Sequence, residues 1–499
     1  MSVVHYFWIL LLLPMAGALV CALLRTPRAV LTVRAVFTAL IGMAALETAV
    51  GVCLVQGVFL GAQDSVAWGW FYLDALSAYH LAILLLIYLL STVYAAGYFR
   101  HELEAGLLRP GQIRRFGILW CGALAAMALV IISNNIGAMW IGMEATTLMT
   151  AFLICVHRTA ASLEAMWKYL LMCSVGVACA FMGTLLAVAA ARGLPLSGSD
   201  VMLWTQMRAA ATQMNLPLLK LAFLFLLVGY GTKAGLAPLH NWLPDAHSQA
   251  PAPVSALFSG FMLNTAFYCI LRYVAIIEVA TGGSGWSLRL LQFFGLISIV
   301  VATAFILFQK DVKRLLAYCS VEHLGIISLG VGLGGFGIFA ALFHVFNHAL
   351  AKTLAFFSAG RIGQIYGTHA MSHIRGTLKA HPVWGIGLFG SFLALIGVAP
   401  FALFMSELQI VFAAMDVRAY VALALFLAGT GTIFMGMLKH AIAMAWGEPG
   451  HPTPVPAAGI TDMIMVAGSL LILLALGLWM PEWYRSLLLR AAHIVEGKL

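Results

Sequence analysis

The chain consists largely of long apolar stretches, and these leave little choice of fold. A window of about 19 residues, the length that crosses a bilayer as a helix, finds about 14 such stretches. Charged residues make up 9% of the chain, whereas soluble domains contain about 25%. Stretches of this length exclude the short alternating strands of a membrane barrel. The sequence therefore predicts an all-α polytopic membrane protein with about 14 transmembrane helices.

The predicted spans follow one another with few residues between them. They lie near residues 4–24, 35–59, 75–98, 116–133, 135–156, 167–191, 217–238, 253–277, 289–308, 313–331, 334–359, 383–411, 418–443 and 460–480. The polar gaps between the spans are too short to form a separate hydrophobic core. We therefore predict a single membrane domain over residues 1–499.

Two of the predicted spans are interrupted by glycine and proline. The seventh contains GYGTKAGLAPLH, with Lys233 shortly before Pro238, and the twelfth contains LIGVAPFALFMSE, with Glu407 after Pro400. Because proline has no N–H group, each break frees a helical carbonyl inside the membrane. Interrupted helices at corresponding positions of two halves are typical of transport sites. Ordinary proline kinks are the alternative interpretation.

The two breaks lie about five spans apart, which predicts two inverted five-helix repeats, helices 4–8 and 9–13, each with a broken helix. The domain then divides into three N-terminal helices (1–115), a first repeat (116–277), a second repeat (289–443), and a last helix with a short tail (444–499). This assignment depends on the architecture and not on sequence identity between the halves.

Lysine and arginine concentrate in alternate loops, and this pattern explains the net charge of +9 without a nucleic-acid partner. The rich loops contain Arg25, Arg28, Arg34, Arg100, Arg109, Arg114, Arg115, Arg158, Lys310, Lys313, Arg314, Arg361, Arg375, Lys379 and Lys439. The intervening loops are expected to contain chiefly Arg192, Arg208, Arg272, Arg289 and Arg418. The positive-inside rule places the first set in the cytoplasm, and hence both termini on the outer or periplasmic side of the inner membrane. Arg485, Arg490 and Lys498 in the tail oppose this orientation.

The cysteines do not form a pattern that binds a cofactor. The eight cysteines are scattered and lie among apolar residues, with no C-x-x-C pair. This argues against an iron–sulfur cluster, a zinc site or a disulfide framework in the chain. Nucleotide-binding and zinc-protease motifs are also absent from the sequence. We therefore expect no cofactor and no metal in this chain.

Eight titratable residues are exceptions to the apolar interior of the predicted spans. They are Glu144, Lys233, Glu322, His323, His344, His348, Lys352 and Glu407. His344, His348 and Lys352 follow one another at four-residue intervals, so they share one helix face over about 12 Å. Each such group at bilayer depth costs several kcal/mol unless it is partnered. Acids, bases and histidines along a span are what a proton path requires, and we predict a proton relay through these residues.

Other interpretations of these residues stay open. Buried ion pairs that hold helices together would also place charges inside the spans. A b-type haem between His323 and His348 is a further alternative, although Glu322 and Lys352 make that pocket ionic. Lys168 lies near a span end with Glu164 one turn before it, so it either joins the relay or extends to the headgroups.

Three segments resemble a known family. The run GTKAGLAPLHNWLPDAHSQAPAPVSALFSG closely resembles the signature of the antiporter-like subunits of respiratory complex I and its relatives. MWIGMEATTL resembles the family's glutamate-bearing fifth helix, and NHALAKTLAFF its eleventh, so the resemblance extends over roughly residues 70–440. By this resemblance, Glu144 matches the fifth-helix glutamate and Lys233 the broken-helix lysine thought to pair with it. His323 and His348 match histidines of the central axis, and Glu407 matches the terminal acidic residue of the twelfth helix.

Two positions depart from the complex I pattern. The eighth helix carries Asn264 where complex I members typically have lysine, and asparagine cannot accept or release a proton. Glu322 precedes His323, where the relatives commonly have a neutral residue. The combination of SVEH and NHALAK is similar to the hydrogenase-4 and formate-hydrogenlyase branch of the family. Asn264 is therefore only a possible member of the relay.

The resemblance implies a proton-translocating, antiporter-like membrane subunit of a redox-driven complex of the hydrogenase-4, formate-hydrogenlyase or complex I type. It implies that iron–sulfur clusters, and a NiFe centre in the hydrogenase case, belong to peripheral partner subunits. Other antiporter-like and small helical membrane subunits would surround the chain, together with lipid. The alternatives are a subunit of a multi-subunit Na⁺/H⁺ antiporter and a membrane energy-coupling subunit of an inorganic-carbon uptake system.

Overall fold

The computed structural model describes residues 3–24, 29–61, 63–195, 198–448 and 458–498. Arg25 and Arg28, two members of the predicted cytoplasmic set, lie outside the described residues. The helices are α1 (Val3–Leu23), α2 (Ala29–Phe59), α3 (Ala75–Glu104), α4 (Pro110–Ile132), α5 (Ile136–Ile154), α6 (Ala160–Ala190), α7 (Trp204–Ala209), α8 (Leu216–Ala234), α9 (Trp242–Gln249), α10 (Ala252–Leu257), α11 (Leu263–Ala280), α12 (Trp286–Ile306), α13 (Val312–Leu333), α14 (Phe336–Tyr366), α15 (Thr377–Ala380), α16 (Pro382–Leu395), α17 (Ala402–Asp416), α18 (Tyr420–Ala445), α19 (Ile460–Leu478) and α20 (Glu482–Val495). Two strands, β1 (Ser65–Trp68) and β2 (Phe71–Asp74), form an antiparallel hairpin between α2 and α3.

The structure confirms the prediction of an all-α polytopic membrane protein. Among the described residues, 13 helical segments are long and apolar enough to cross a membrane. One of them consists of α10 and α11, which are joined by a π-helical turn over Phe258–Met262. The predicted span 383–411 is present as two shorter helices, α16 and α17. The inverted repeats stay a prediction.

The chain forms two compact units. The first contains Met1–Ala234, Phe261–Leu288 and Trp483–Leu499, and the second contains Gly235–Gly260 and Arg289–Glu482. The first unit thus holds α1 to α8 with the hairpin and α11, and the second holds α9, α10 and α13 to α19. The division of the chain into predicted segments at 115, 277 and 443 stays a prediction.

Both predicted interruptions are present. Helix α8 ends at Ala234, directly after Lys233, and Gly235 follows with a φ of 81°. Helix α16 ends at Leu395, and Gly397 follows with a φ of 68°. A positive φ is open to glycine at no steric cost and commonly ends a helix. The glycines therefore allow the backbone to leave the helix beside titratable side chains.

A buried ion pair holds the hairpin of the first unit against α11. The oxygens Oδ2 and Oδ1 of Asp74, at the end of β2, accept hydrogen bonds from Nη1 and Nη2 of Arg272 at 2.6 and 2.8 Å. Asp74 also caps α3 by accepting from the N–H of Ser77 at 2.9 Å. Trp204 lies over the guanidinium, with 4.5 Å from its carbon to the ring centre. Arg272 lies inside α11, where its charge is balanced by the buried Asp74. The prediction that places Arg272 in a loop is therefore wrong.

The tail forms an amphipathic helix that the sequence analysis did not predict. In α20 the side chains of Leu487, Leu488 and Ala491 are buried in the first unit. Arg490 donates a hydrogen bond from Nη2 to the carbonyl of Val58, at the end of α2, at 2.5 Å. This arginine therefore holds the tail helix against the end of α2.

We expect Asp74→Asn to lower the free energy of unfolding by about 3 to 5 kcal/mol, because it leaves the buried Arg272 guanidinium without a counter-charge. Unfolding of the purified chain in detergent micelles measures this change. Asp64→Asn is the matched control, because Asp64 is exposed in the same connection before β1. An equal loss of stability in the two variants would contradict the structural role of the pair.

The same pair predicts a pH dependence. Burial raises the pKa of Asp74, but the charge and hydrogen bonds of Arg272 and the N–H of Ser77 outweigh burial and hold that pKa below its ordinary value. A carboxyl with a lowered pKa stabilises the folded chain above its unfolded pKa, and this stabilisation is lost as the pH falls through the folded pKa. We therefore expect the stability difference between wild type and Asp74→Asn to be full at pH 6 and to shrink below about pH 4.

Candidate functional site

The first candidate group lies around the end of α8, in the first unit. Lys233 is fully buried there and donates hydrogen bonds to the hydroxyl of Thr147, at 3.0 Å, and to the hydroxyl of Tyr169. The Tyr169 oxygen lies 2.5 Å from the hydroxyl oxygen of Thr150. We call Glu144, Thr147, Thr150, Tyr169 and Lys233 the lysine group. Its hydroxyl oxygens supply the partners that a buried amine needs.

Close helix packing brings the lysine group together. Asn135 caps α5, and Thr147 and Thr150 lie one turn apart on that helix. Helices α6 and α8 approach so closely that a Cβ atom on Gly229 would lie 2.5 Å from the backbone nitrogen of Ala180. Small residues allow membrane helices to pack in this way. The lysine, one turn after Gly229 on α8, therefore reaches Tyr169 on α6.

Glu144 takes part in the lysine group without touching its lysine. It is half-buried on α5, and its Oε1 accepts a hydrogen bond from Ser174 at 3.3 Å. The charge of Lys233 acts on this carboxylate, but in the described part of the chain the two side chains form no direct ion pair. The Glu144–Lys233 pair implied by the family resemblance is therefore an electrostatic interaction, with hydroxyls rather than the carboxylate bonded to the amine.

The structure places Lys168 outside this group. Lys168 lies exposed on α6 and pairs with Glu164 of the same helix at 2.6 Å. Tyr169, the next residue, is the one that turns inward to Lys233. Asn264 is buried in α11 of the first unit, and its part in a relay stays a prediction.

The second candidate group lies in the second unit, on α13, α14 and α17. Nδ1 of His323 and Nε2 of His344 are 2.9 Å apart, and Nδ1 of His344 lies 2.8 Å from the hydroxyl of Ser406. The ring of His348 lies against that of His323, with centroids 4.9 Å apart. We call the following residues the histidine group: Cys319, Glu322, His323, His344, His348, Lys352, Ser406 and Glu407. All of them are buried except Glu407, which is partly buried.

Lys352 and the two carboxylates complete the histidine group. The Nζ of Lys352 donates to the carbonyl of Leu316 at 2.7 Å, and its charge interacts with Cys319 and Glu322. Glu322 interacts electrostatically with Glu407. A Cβ atom on Gly397 would lie 2.3 Å from Oε2 of Glu407, so the break after α16 makes room for this carboxylate. The second interruption therefore lies beside a titratable side chain, as the first does.

The predicted row of His344, His348 and Lys352 on α14 is buried, but its two histidines differ in their hydrogen-bond partners. His344, His348 and Lys352 all have fully buried side chains on this one helix. His344 bonds to two neighbouring helices, whereas neither ring nitrogen of His348 has a hydrogen-bond partner among the described residues. A buried imidazole in this state has both nitrogens available to accept or donate a proton.

Two sets of three side chains in the histidine group offer ligand atoms that lie within 4.8 Å of one another. They are Cys319, Glu322 and His323, and His323, His344 and Glu407. The direct His323–His344 hydrogen bond competes with metal binding by the second set. The haem alternative does not fit, because rings 4.9 Å apart leave no room for a porphyrin between His323 and His348.

The sequence analysis missed several residues of the two groups. Thr147, Tyr169, Cys319 and Ser406 are uncharged, so a search for charges inside spans passes over them. Their position in the sequence could have identified them, since each lies within a few residues of a predicted titratable residue. Glu47 was also missed: it is fully buried in α2, and neither carboxylate oxygen has a partner among the described residues.

Comparison with known proteins identifies relatives over most of the chain. Residues 133–434 match the transmembrane family described as NADH:quinone oxidoreductase/Mrp antiporter. A protein of Methylacidiphilum infernorum described as a hydrogenase-4 component F homolog is 35% identical over 437 residues, which cover 86% of this chain and 90% of that protein. The matched family region contains every predicted member of both groups.

Two solved structures share the fold. A chain of an archaeal membrane-bound sulfane sulfur reductase superposes with a TM-score of 0.84 at 23% identity, over 98% of this chain and 97% of that one. A chain of the Mrp complex from Dietzia sp. DQ12-45-1b superposes with a TM-score of 0.83 at 20% identity, over 100% and 98% of the two chains. At these identities the likeness establishes the fold alone.

We expect Tyr169→Phe to destabilise the first unit, because Lys233 loses one of its two hydrogen-bond partners. Hydrogen bonds to charged groups contribute about 1.5 to 3 kcal/mol, and unfolding in detergent micelles measures the loss. Tyr88→Phe is the matched control, since this buried tyrosine has no nitrogen or oxygen partner for its hydroxyl among the described residues. Equal effects of the two substitutions would show that the Tyr169–Lys233 contact contributes nothing.

Proposed function

The chain belongs to the NADH:quinone oxidoreductase/Mrp antiporter transmembrane family as an antiporter-like, proton-translocating membrane subunit, and we propose that the lysine group and the histidine group carry its protons. Buried titratable groups in membrane proteins mark ion pathways and proton relays. Each group lies next to an interrupted helix, the feature typical of transport sites.

One observation carries this proposal furthest: the hydrogen-bonded chain His323–His344–Ser406. An imidazole can accept a proton at one nitrogen and release another from the second nitrogen, and it titrates near neutral pH when unperturbed. His323 is within hydrogen-bonding distance of His344, and His344 of the Ser406 hydroxyl, so each group of this chain is within proton-transfer distance of the next. His348, whose ring lies against that of His323 and whose two nitrogens have no hydrogen-bond partner among the described residues, is the next station on α14.

The lysine group supplies a different kind of station. Lys233 carries a proton when it is an ammonium group, and it then donates hydrogen bonds to the hydroxyls of Thr147 and Tyr169. Hydroxyls can also donate to a neutral amine, so the same partners suit both charge states of the lysine. Glu144 interacts with the lysine through space, and a carboxylate close to an amine stabilises the ammonium form more than a distant one does. A change in the distance between Glu144 and Lys233 would therefore load or unload the amine.

The partner complex is the finer part of the proposal. The hydrogenase-4 name of the Methylacidiphilum relative favours a redox-driven complex of hydrogenase or complex I type. In such a complex, iron–sulfur clusters and a NiFe centre would lie in peripheral subunits, with other membrane subunits beside this chain. We place it in the inner membrane with both termini outside, following the positive-inside rule.

A Na⁺/H⁺ antiporter subunit is the second candidate, because the description of the matched family names the Mrp antiporter beside NADH:quinone oxidoreductase. Such a subunit needs no redox partner. Copurification separates the two: iron–sulfur and hydrogenase-like proteins support the first candidate, and small membrane subunits alone support the second. A soluble carbon-uptake partner would indicate the third alternative, an energy-coupling subunit.

We expect Lys233→Ala and Glu144→Ala each to reduce proton movement at least tenfold while the complex stays assembled, since each removes a station of the relay. A pH-sensitive dye in inverted membrane vesicles measures proton uptake, and native gel electrophoresis measures assembly. Lys168→Ala and Glu164→Ala are the matched controls, because these residues pair with each other on the exposed face of α6. Unchanged proton movement in both test variants would refute the proposal.

The histidine group is tested separately. His344→Gln retains hydrogen-bonding capacity towards His323 and Ser406 but cannot take up a proton, so we expect at least a tenfold loss of proton uptake with normal assembly. His373→Gln, at an exposed position before α15, is the control. Normal proton uptake by His344→Gln would remove the histidine group from the route while leaving the lysine group in question.

A further inference from the structure

Two adjoining cavities open in the first unit where α4 begins and α5 joins α6. The larger, of about 660 Å³, is lined by residues of the connection before α4, of the first turns of α4 and of the loop after α5, among them Arg109, Arg115, His157 and Arg158. The smaller, of about 310 Å³, shares Gln112, Arg115 and Arg158 with it. Gln112 joins the two sides, donating from Nε2 to the carbonyl of Val156 at 2.8 Å. The shared residues show that the two cavities adjoin, and we call the pair the cleft.

The larger cavity is strongly basic. Arg109, Arg115 and Arg158 border it, and neither cavity is lined by an acidic residue. In the described part of the chain, the three guanidinium groups form no ion pair. The nearby Glu102 is buried and directed to Nε2 of His157 at 2.9 Å. Three arginines therefore line the cleft without a directly paired carboxylate among the described residues.

Two helix starts add to this positive potential. Helix α4 begins at Pro110 and α6 at Ala160, and Gly111 and Thr159, at these starts, line the larger cavity. The first turn of a helix presents unpaired N–H groups and the positive end of the helix dipole, which together favour an anion. The arginines and the helix starts point to the same ligand charge.

The smaller cavity is apolar. Besides the shared residues, its lining includes Phe116, Leu119, Phe152, Leu163 and Met166. Phe116 directly follows Arg115 on α4, and Leu119 lies one turn, about 6 Å, beyond the arginine. A ligand that fits the whole cleft has an anionic head and an apolar chain.

We propose that this cleft binds an anionic phospholipid, with its phosphate at Arg109, Arg115 and Arg158 and an acyl chain in the smaller cavity. Arginine guanidinium groups bind phosphate through paired hydrogen bonds, and basic pockets between membrane helices on the cytoplasmic side bind anionic headgroups. The three arginines belong to the set that the positive-inside rule assigns to the cytoplasm. The lipid would thus hold the loop after α5 against the start of α4.

A third cavity shows why the proposal is limited to this cleft. A cavity of about 260 Å³ between α2 and α3 is also lined by two arginines, Arg34 and Arg100. Glu104 lines the same cavity, so one of the two positive charges is opposed there. Only the cleft at α4 combines uncompensated arginines with an apolar extension among the described cavities.

Native mass spectrometry of the full chain in detergent micelles, titrated with palmitoyl-oleoyl-phosphatidylglycerol, tests the proposal. We expect one lipid to bind in preference to phosphatidylcholine with the same acyl chains. Each arginine near a lipid surface contributes about fivefold to binding, so the double variant Arg115→Ala/Arg158→Ala should bind about 25-fold more weakly. Arg375→Ala, at an exposed position of another loop, should bind as wild type does. Equal binding of the two lipids, or wild-type binding by the double variant, would overturn the proposal.

The acyl chain is tested by filling the smaller cavity. Leu163→Trp should weaken phosphatidylglycerol binding, because the indole fills the space of the acyl chain. The binding of inorganic phosphate to the arginines should stay unchanged in this variant. If the Leu163→Trp variant binds the lipid normally, and inorganic phosphate fully displaces that lipid, the cleft is a site for a free anion. The lipid assignment is then wrong. A photo-crosslinking residue at position 158 that joins only to protein in native membranes would show an acidic partner segment there, and would also overturn it.

Discussion

The hydrocarbon interior of a membrane provides no water, so a buried polar group is stabilised chiefly by partners within the protein. Lys233 meets this constraint through hydroxyls, with Thr147 and Tyr169 close to its amine. Arg272 meets it through a carboxylate, since both oxygens of Asp74 accept its hydrogen bonds. The packing of α6 against α8, and of the hairpin against α11, depends on these contacts as much as on apolar burial.

The partners of Arg272 and those of Lys233 differ in whether they allow a change of protonation. The Asp74–Arg272 pair is direct, bidentate and further fixed by the N–H of Ser77, so moving a proton there would break a buried ion pair. Lys233 has neutral partners that can rotate, and His348 has two nitrogens with no partner among the described residues. A fully satisfied pair suits a structural role, whereas a loosely satisfied group can change its protonation without disrupting the fold.

The limits of sequence reasoning are clearest on α6 and α11. Lys168 attracts attention as a charge in a span, but it lies on the exposed face of α6, and the next residue, Tyr169, contacts Lys233. Successive residues on a helix point about 100° apart, so a shift of one position decides between lipid and core. The sequence analysis counted Arg272 among the loop charges, although the predicted span 253–277 contains it. Its partner, Asp74, lies 198 residues earlier in the chain.

By itself the sequence determined the membrane class, the approximate spans, the two helix interruptions and the acidic, lysine and histidine residues of the two groups. Hydrophobic length, proline chemistry and the cost of a buried charge are local properties, and a single chain displays them without its fold. Only the tertiary structure decided which of these residues touch: that hydroxyls from α5 and α6 hold Lys233, that His323 bonds to His344, and that Glu407 lies against the break at Gly397. Such contacts join helices that are distant in sequence, and their geometry follows from how closely those helices pack, which no local pattern encodes.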